Sequence, residues 1–299
     1  MADPSPPVAK VPPRIFDPDR RRLRLRRAAS TLHKADFLHR RAARNAVDSL
    51  EAIVRDFKFG VDLSVFKTPF DQALADSDAR HRIDMIEGVS IRAADPAQTG
   101  FGLEPGSCDL AISLMSLHWA NDLPGALAQI RRILVPDGLF LGTLMGAGTL
   151  KELRWAMTEA ELEIRGGAQP RVSPFADGYD GAGLLQRAGF ALPVCDVDRI
   201  TVRYPDLAGV LRDLRHMGET NGLAGPVRPL SREILIRAAG LYQDRFADPD
   251  GRIPATFEMI HLAGWAPHAS QQKPLARGSA KARLADVLGV REVSQPERD

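Results

Sequence analysis

The sequence predicts an α/β fold, a Rossmann-like and mostly parallel sheet with helices on both faces, and three observations carry that prediction. First, "CDLAISLMS" (108–116) is a continuous apolar run, as expected of a strand buried on both faces. Second, "DLPGALAQIRRIL" (122–134) follows with Leu123, Leu127, Ile130 and Leu134 at helical spacing, Asp122 placed as an N-cap and Pro124 in the first turn. Third, "VPDG" (135–138) stops that helix and "LFLGTLMG" reads as the next strand. A strand, a helix and a strand with short joints make a parallel crossover.

The other elements follow in chain order. The Pro-rich residues 1–17 are expected to be disordered. Residues 18–55 form an N-terminal helical segment, with helices at 19–29 and 36–54, because they are rich in Arg, Ala and Leu and lack Gly and Pro after Pro18. A core at 56–205 starts with strand "FKFGVDL" (57–63) and a short helix at 70–79. "HRIDMI" and "VSIRAA" are two strands separated only by Glu87 and Gly88. Helices at 149–164 and 181–190 precede a strand at 191–205. The segment 206–266 holds two helices, 206–218 and 231–247, inserted as a lid before a final strand at 255–266, and a polar tail occupies 267–299.

Composition narrows the function classes. Hydrophobic residues at 44% and charged residues at 26% are ordinary for a soluble globular chain. The net charge of +2 gives no general argument for nucleic acid, and the run "RRRLRLRR" (20–27) reads as a solvated helix face. Cys108 and Cys195 are too few for a metal cluster or a disulfide framework, which fits a reducing compartment. No apolar run approaches membrane-spanning length.

A cofactor crevice in such a sheet needs a glycine turn after the first strand and acids at the ends of the next two. Asp62 ends the first strand, Asp84 lies 22 residues on, and Asp95 follows the third. The turn itself reads Ser64, Val65, Phe66, Lys67, where β-branched and aromatic side chains disfavour positive φ and close ligand approach. His118 and Trp119 fall at the carboxyl end of a central strand, where ligands bind in open sheets, and His118 is the candidate general base. Glu219, Asn221, Thr256, Glu258 and Trp265 are substrate or lid candidates. Period two puts Thr256 and Glu258 on one face of the last strand and His261 on the other.

The segments "LMSLHWANDLPGALAQIRRILVPDGLFLGTLMGAGTLKELR", "VSPF", "LLQRAGF", "DVDRITVRYPDL", "LRDLRHMGETN", "DGRIPATFEMIHLAGW" and "RIFDPDRRRLRLRRAA" together resemble the methyltransferase-like complex I assembly factors of mitochondria and their bacterial relatives. More distantly they resemble the biotin-pathway malonyl-carrier-protein methyltransferases. The resemblance implies a class I methyltransferase fold and S-adenosylmethionine as cofactor. It implies cofactor contacts at Asp62, Asp84, Asp95, Ser116, Leu117, His118 and Trp119. It also implies a protein partner in respiratory complex I and a cytoplasmic or, in a eukaryote, mitochondrial-matrix location. Three functions are expected: methyl transfer to a protein or small acceptor, a catalytically silent assembly or scaffold role, and arginine hydroxylation. The chain departs from the family's "DLGCGxG" loop at "DLSVFKTPF" (62–70), and only Glu87 and Gly88 stand where the family has a helix.

Overall fold

The computed structural model describes residues 14–89, 100–176, 180–226 and 228–272. Six strands form one sheet: β1 (Phe57–Asp62), β2 (Ile83–Gly88), β3 (Cys108–Leu114), β4 (Leu134–Met145), β5 (Ala191–Tyr204) and β6 (Ile253–Trp265). Their order is β2-β1-β3-β4-β6-β5. β1 pairs in parallel with β2 and β3, and β3 with β4; β6 is antiparallel to both β4 and β5. The strand order reverses direction at the gap between the tips of β1 and β3, so the crevice expected of this architecture lies there.

Among the described residues eight α-helices accompany the sheet: α1 (Pro18–Ala28), α2 (Phe37–Ala52), α3 (Thr68–Ala75), α4 (Leu123–Ile133), α5 (Lys151–Arg165), α6 (Gly181–Arg187), α7 (Leu207–Met217) and α8 (Arg232–Phe246). α2, α3, α5, α7 and α8 share one apolar layer with Leu139, Leu141 and Met145 of β4. α4 and α6 pack with Phe140 and Leu144 on the opposite face. That alternation along β4 is the period-two pattern of a strand buried on both sides. The Asp122 carboxylate caps α4, accepting from Gly125 N at 2.8 Å. Asp17 and Asp206 cap α1 and α7 in the same way.

The structure corrects four expectations. Residues 14–17, placed with a disordered leader, are pinned instead. Ile15 N and Phe16 N both donate to Asn121 Oδ1, at 2.8 and 2.7 Å, and Asp17 N donates to Gly222 O at 2.8 Å. β4 begins at Leu134 because "VPDG" is absorbed into the strand as an irregularity; Cys108 pairs with Leu134 and Leu110 with Leu139. Asp84 opens β2 rather than ending it, because β2 starts at Ile83; Gly88 is the residue that pairs with Asp62. Trp265 pairs with Leu139, six residues before the carboxyl end of β4 at Met145, and so lies away from the strand tips, because β6 runs antiparallel. The expected strand "VSIRAA" (89–94) lies outside the described residues from 90 onward, as does Asp95 after it; Val89 itself follows the end of β2.

Residues through Pro267 form one unit and His268–Asp299 a second. In the second, His268–Gln271 make a turn closed by Gln271 N donating to His268 O at 3.3 Å.

Candidate functional site

The carboxyl end of β3 turns through Leu117–Trp119, and this short turn is where the fold brings distant residues together. α7 ends at Gly218, whose φ of +75° a side chain adopts only with strain, and a Cβ there would also crowd Ala28 and Leu25 of α1 at 3.2 Å. Glu219 N then donates back to Leu214 O at 2.8 Å, which closes the helix and directs Glu219 inward. Its carboxylate takes three donors: Arg21 Nη2 at 2.8 Å, Trp119 Nε1 at 2.9 Å and His118 Nε2 at 3.1 Å. The guanidinium of Arg21 also stacks over the Trp119 ring at 4.3 Å and donates to Gly218 O. Phe16 meets Trp119 edge-on at 5.0 Å, and Phe175 does the same to His118 at 5.2 Å. Gly222 lies so close that a Cβ there would come within 2.6 Å of the Trp119 ring.

Electrostatics follow from this burial. Burial alone would raise the Glu219 carboxyl, but Arg21 and then His118 outweigh it and hold the group far below the carboxylate range. Burial lowers His118, with Glu219 opposing, so the imidazole is neutral at neutral pH. Because an ionised carboxylate only accepts, Nε2 of His118 carries the proton. The basic nitrogen is therefore Nδ1, which is buried and without a hydrogen-bond partner. The expected general base thus points its lone pair into packed protein.

At the tips of β1 and β3 the chain continues the parallel pairing past the end of β1. Leu63 N donates to Ile112 O at 2.7 Å and Val65 N to Leu114 O at 3.2 Å, so residues 63–65 run on beside β3. Ser64 Oγ accepts from Leu114 N at 2.9 Å, and Ser116 Oγ donates to Leu63 O at 3.1 Å. Phe66 then lays its ring 5.5 Å from that of His39 on α2. At the β2 tip, where a ribose-binding acid belongs, Gly88 sits against the aliphatic stem of Lys67; a Cβ on Gly88 would meet Lys67 Cδ at 3.1 Å. Among the described residues the turn after β1 has no glycine, and Gly88 rather than an acid stands opposite Asp62 at the β2 tip. One feature pulls the other way: Asp62, buried at the β1 tip, has Oδ1 bonded by Ser64 N at 2.8 Å while Oδ2 has no partner. Burial pushes its carboxyl up to about 6.

Of the residues expected at the site, His118, Trp119 and Glu219 meet in one cluster, and Ser116 and Leu117 lie buried beside it. Asn221 ties its own loop, donating to Pro170 O at 3.2 Å and accepting from Leu223 N at 2.9 Å. Thr256 bonds Glu152, and Glu258 accepts from Gly148 N at 3.1 Å and Arg199 Nε at 2.8 Å; both fasten β6 to the start of α5. Asp84 and Trp265 lie away from the strand tips. Sequence reasoning missed Arg21 and His39. The Arg run hid Arg21, since nothing in a row of six arginines among eight residues marks the one that turns inward.

A sheet ordered β2-β1-β3-β4-β6-β5 with β6 reversed, and ligand-type residues at the β3 tip, defines a Rossmann-like class I methyltransferase fold. The Methyltransferase domain family model matches residues 59–142. The arginine-hydroxylase NDUFAF5, mitochondrial, of Danio rerio is 36% identical over 290 residues, covering 92% of this chain and 90% of that protein. The malonyl-[acyl-carrier protein] O-methyltransferase of Halorhodospira halophila is 37% identical over 188 residues, covering 62% of this chain and 60% of that protein. The YcgJ protein of Bacillus subtilis overlays with a TM-score of 0.44 at 11% identity, covering 77% of this chain and 99% of that one. The chain belongs to the NDUFAF5 family. Among the described residues no helix is long and apolar enough to cross a membrane.

Proposed function

We propose that this chain serves respiratory complex I maturation as a methyltransferase-fold assembly protein that binds a protein partner and does not turn over S-adenosylmethionine. The observation that carries this reading is the run of Leu63–Val65 hydrogen-bonded along the β3 tip. Opening the crevice breaks the bonds of Val65 N, Ser64 Oγ and Ser116 Oγ. At ~1 kcal/mol each, that is a loss of about 100-fold in cofactor affinity. The roof over His118, built from Arg21, Glu219 and Phe175, in addition covers the candidate general base at the β3 tip.

The test is calorimetric titration of the full chain with S-adenosylmethionine, beside affinity capture of complex I subunits. No heat at about 1 mM cofactor, together with recovery of a subunit, is the expected result. Micromolar binding overturns it. The double variant Ser64→Gly/Phe66→Gly separates causes: restored affinity identifies the closed turn as the obstruction.

The second reading is S-adenosylmethionine-dependent methyl transfer to a protein or small acceptor, and the unpartnered Oδ2 of Asp62 favours it. S-adenosylmethionine supplies a methyl group activated on a sulfonium, and Asp62 would face its ammonium group. Arginine hydroxylation, named for the relatives, gains no metal donor set from the described residues, where no three His, Cys, Asp or Glu side chains converge.

A further inference from the structure

A second polar constellation lies on the α2 face of the sheet and shares no residue with the His118 cluster. Thr143 of β4, His261 of β6 and Asp196 of β5 stand in direct register across three neighbouring strands. Period two points all three toward α2, on a face otherwise lined by Leu139, Leu141, Met145, Met259 and Phe257. Thr143 and His261 are buried there, and Asp196 is exposed at the edge strand, so a hydroxyl, an imidazole and a carboxylate meet where the apolar face opens to solvent.

The space above the row is a cavity of ≈ 190 Å³, with Asn45 and Ser49 of α2 on the side facing the sheet. Leu141, Ala46 and Ala263 supply apolar wall. The volume is below the roughly 300–1,000 Å³ that takes drug-sized ligands, so the occupant is small. Thr143 Oγ1 is bonded to His261 Nδ1 at 2.9 Å, and His261 Nε2 lies 3.9 Å from Asp198 Oδ2. Asp198 is itself neutralised by Arg41. Asp196 is different. One oxygen accepts from Val197 N at 2.9 Å, and the carboxylate has no cationic partner among the described residues. The cavity therefore offers one unneutralised carboxylate, a neutral amide, a hydroxyl, and aliphatic wall.

We propose that this cavity binds a short alkyl chain ending in a primary ammonium group, with Asp196 as the counter-ion and Leu141, Ala46 and Ala263 against the methylenes. Asn45 and Ser49 take the remaining ammonium protons, since an ammonium offers three donors and accepts none. The neutral state of His261 is part of the fit. Burial lowers the imidazole, with Asp198 and Asp196 opposing, and an uncharged ring does not repel the cation.

The probe is n-butylammonium chloride, titrated into the full chain at neutral pH and followed by ¹H–¹⁵N chemical shifts and calorimetry, with sodium butyrate as the control. The expected result is a Kd of about 1 mM for the amine, with shifts confined to β4, β5, β6 and α2, and no binding of butyrate. Asp196→Asn, at an exposed position, weakens the amine about tenfold or more, because a charge-assisted bond is lost. Ala263→Leu, which fills the cavity, weakens it while keeping the carboxylate. Equal binding of butyrate, unchanged affinity in Asp196→Asn, or no shift at about 20 mM amine overturns the proposal. Nα-acetyl-lysine methylamide, run in parallel, assigns the source. Binding at least as tight as butylammonium means a lysine side chain of a protein, and weaker binding means a free alkylamine.

Discussion

Glu219→Gln tests whether the buried ion pair, rather than the apolar contacts around it, fastens α1 and the loop after α7 over the β3 tip. The native carboxylate receives Arg21 Nη2, Trp119 Nε1 and His118 Nε2 at 2.8, 2.9 and 3.1 Å. The Arg21 and Glu219 side chains are only 8% and 3% exposed, so water cannot replace a lost partner. The amide has one acceptor oxygen for three donors and no charge for Arg21. Breaking a buried pair from one side costs ~3–5 kcal/mol, mainly because the remaining charge is left uncompensated. That is a large share of the ~5–15 kcal/mol that holds a typical domain together. At ~2–4 °C per kcal/mol for a chain of this size, Tm falls by about 6–20 °C. The assay is urea and thermal unfolding followed by Trp fluorescence, on Glu219→Gln, Arg21→Met and the double variant. The double variant is expected to lose less than the sum of the singles by ~2 kcal/mol or more, since it leaves no buried charge. A Glu219→Gln protein within ~1 kcal/mol of wild type, or strictly additive single losses, refutes the argument.

Two further outcomes concern buried titratable groups. Burial lowers His39 to about 4, and neither ring nitrogen has a partner. The unfolded chain, with its imidazole near 6.5, therefore takes up the proton first, so stability is full above about 6.5 and falls by ~3 kcal/mol as pH drops toward 4. His118, lowered in the same direction, adds to the loss. His39→Leu should flatten that slope, and urea midpoints at pH 7, 5.5 and 4.5 check it; an unchanged slope sinks the reading. Asp62 has the opposite sense. Its folded pKa of about 6 exceeds the unfolded value, so the group costs stability as pH rises from about 4 through 6. Asp62→Asn should gain ~1–2 kcal/mol at pH 7.5 after allowing for an unsatisfied amide N–H, and little at pH 4. A loss at pH 7.5 in denaturant titration contradicts this.

The sequence by itself determined the strand–helix–strand core, because apolar runs and 3.6-residue spacing are local properties that burial on two faces enforces. It determined the cap at Asp122, since a side-chain oxygen two or three residues before a free N–H needs no tertiary partner to be recognised; the caps at Asp17 and Asp206 emerged only in the structure. It also marked the missing glycines after Asp62 and the His118–Trp119 corner. What it left open was decided by contacts across more than a hundred residues. That Glu219 rather than solvent faces His118 depends on α7 ending at Gly218 beside α1. That Arg21 alone of its run is buried depends on which side of α1 meets Trp119. Asp84 misled because strand boundaries shift with pairing, and the β1 register rather than any local pattern sets where β2 ends. The row of Thr143, His261 and Asp196 was invisible for the same reason. Three strands far apart in sequence share a face only once the sheet order and the reversed β6 have fixed their register.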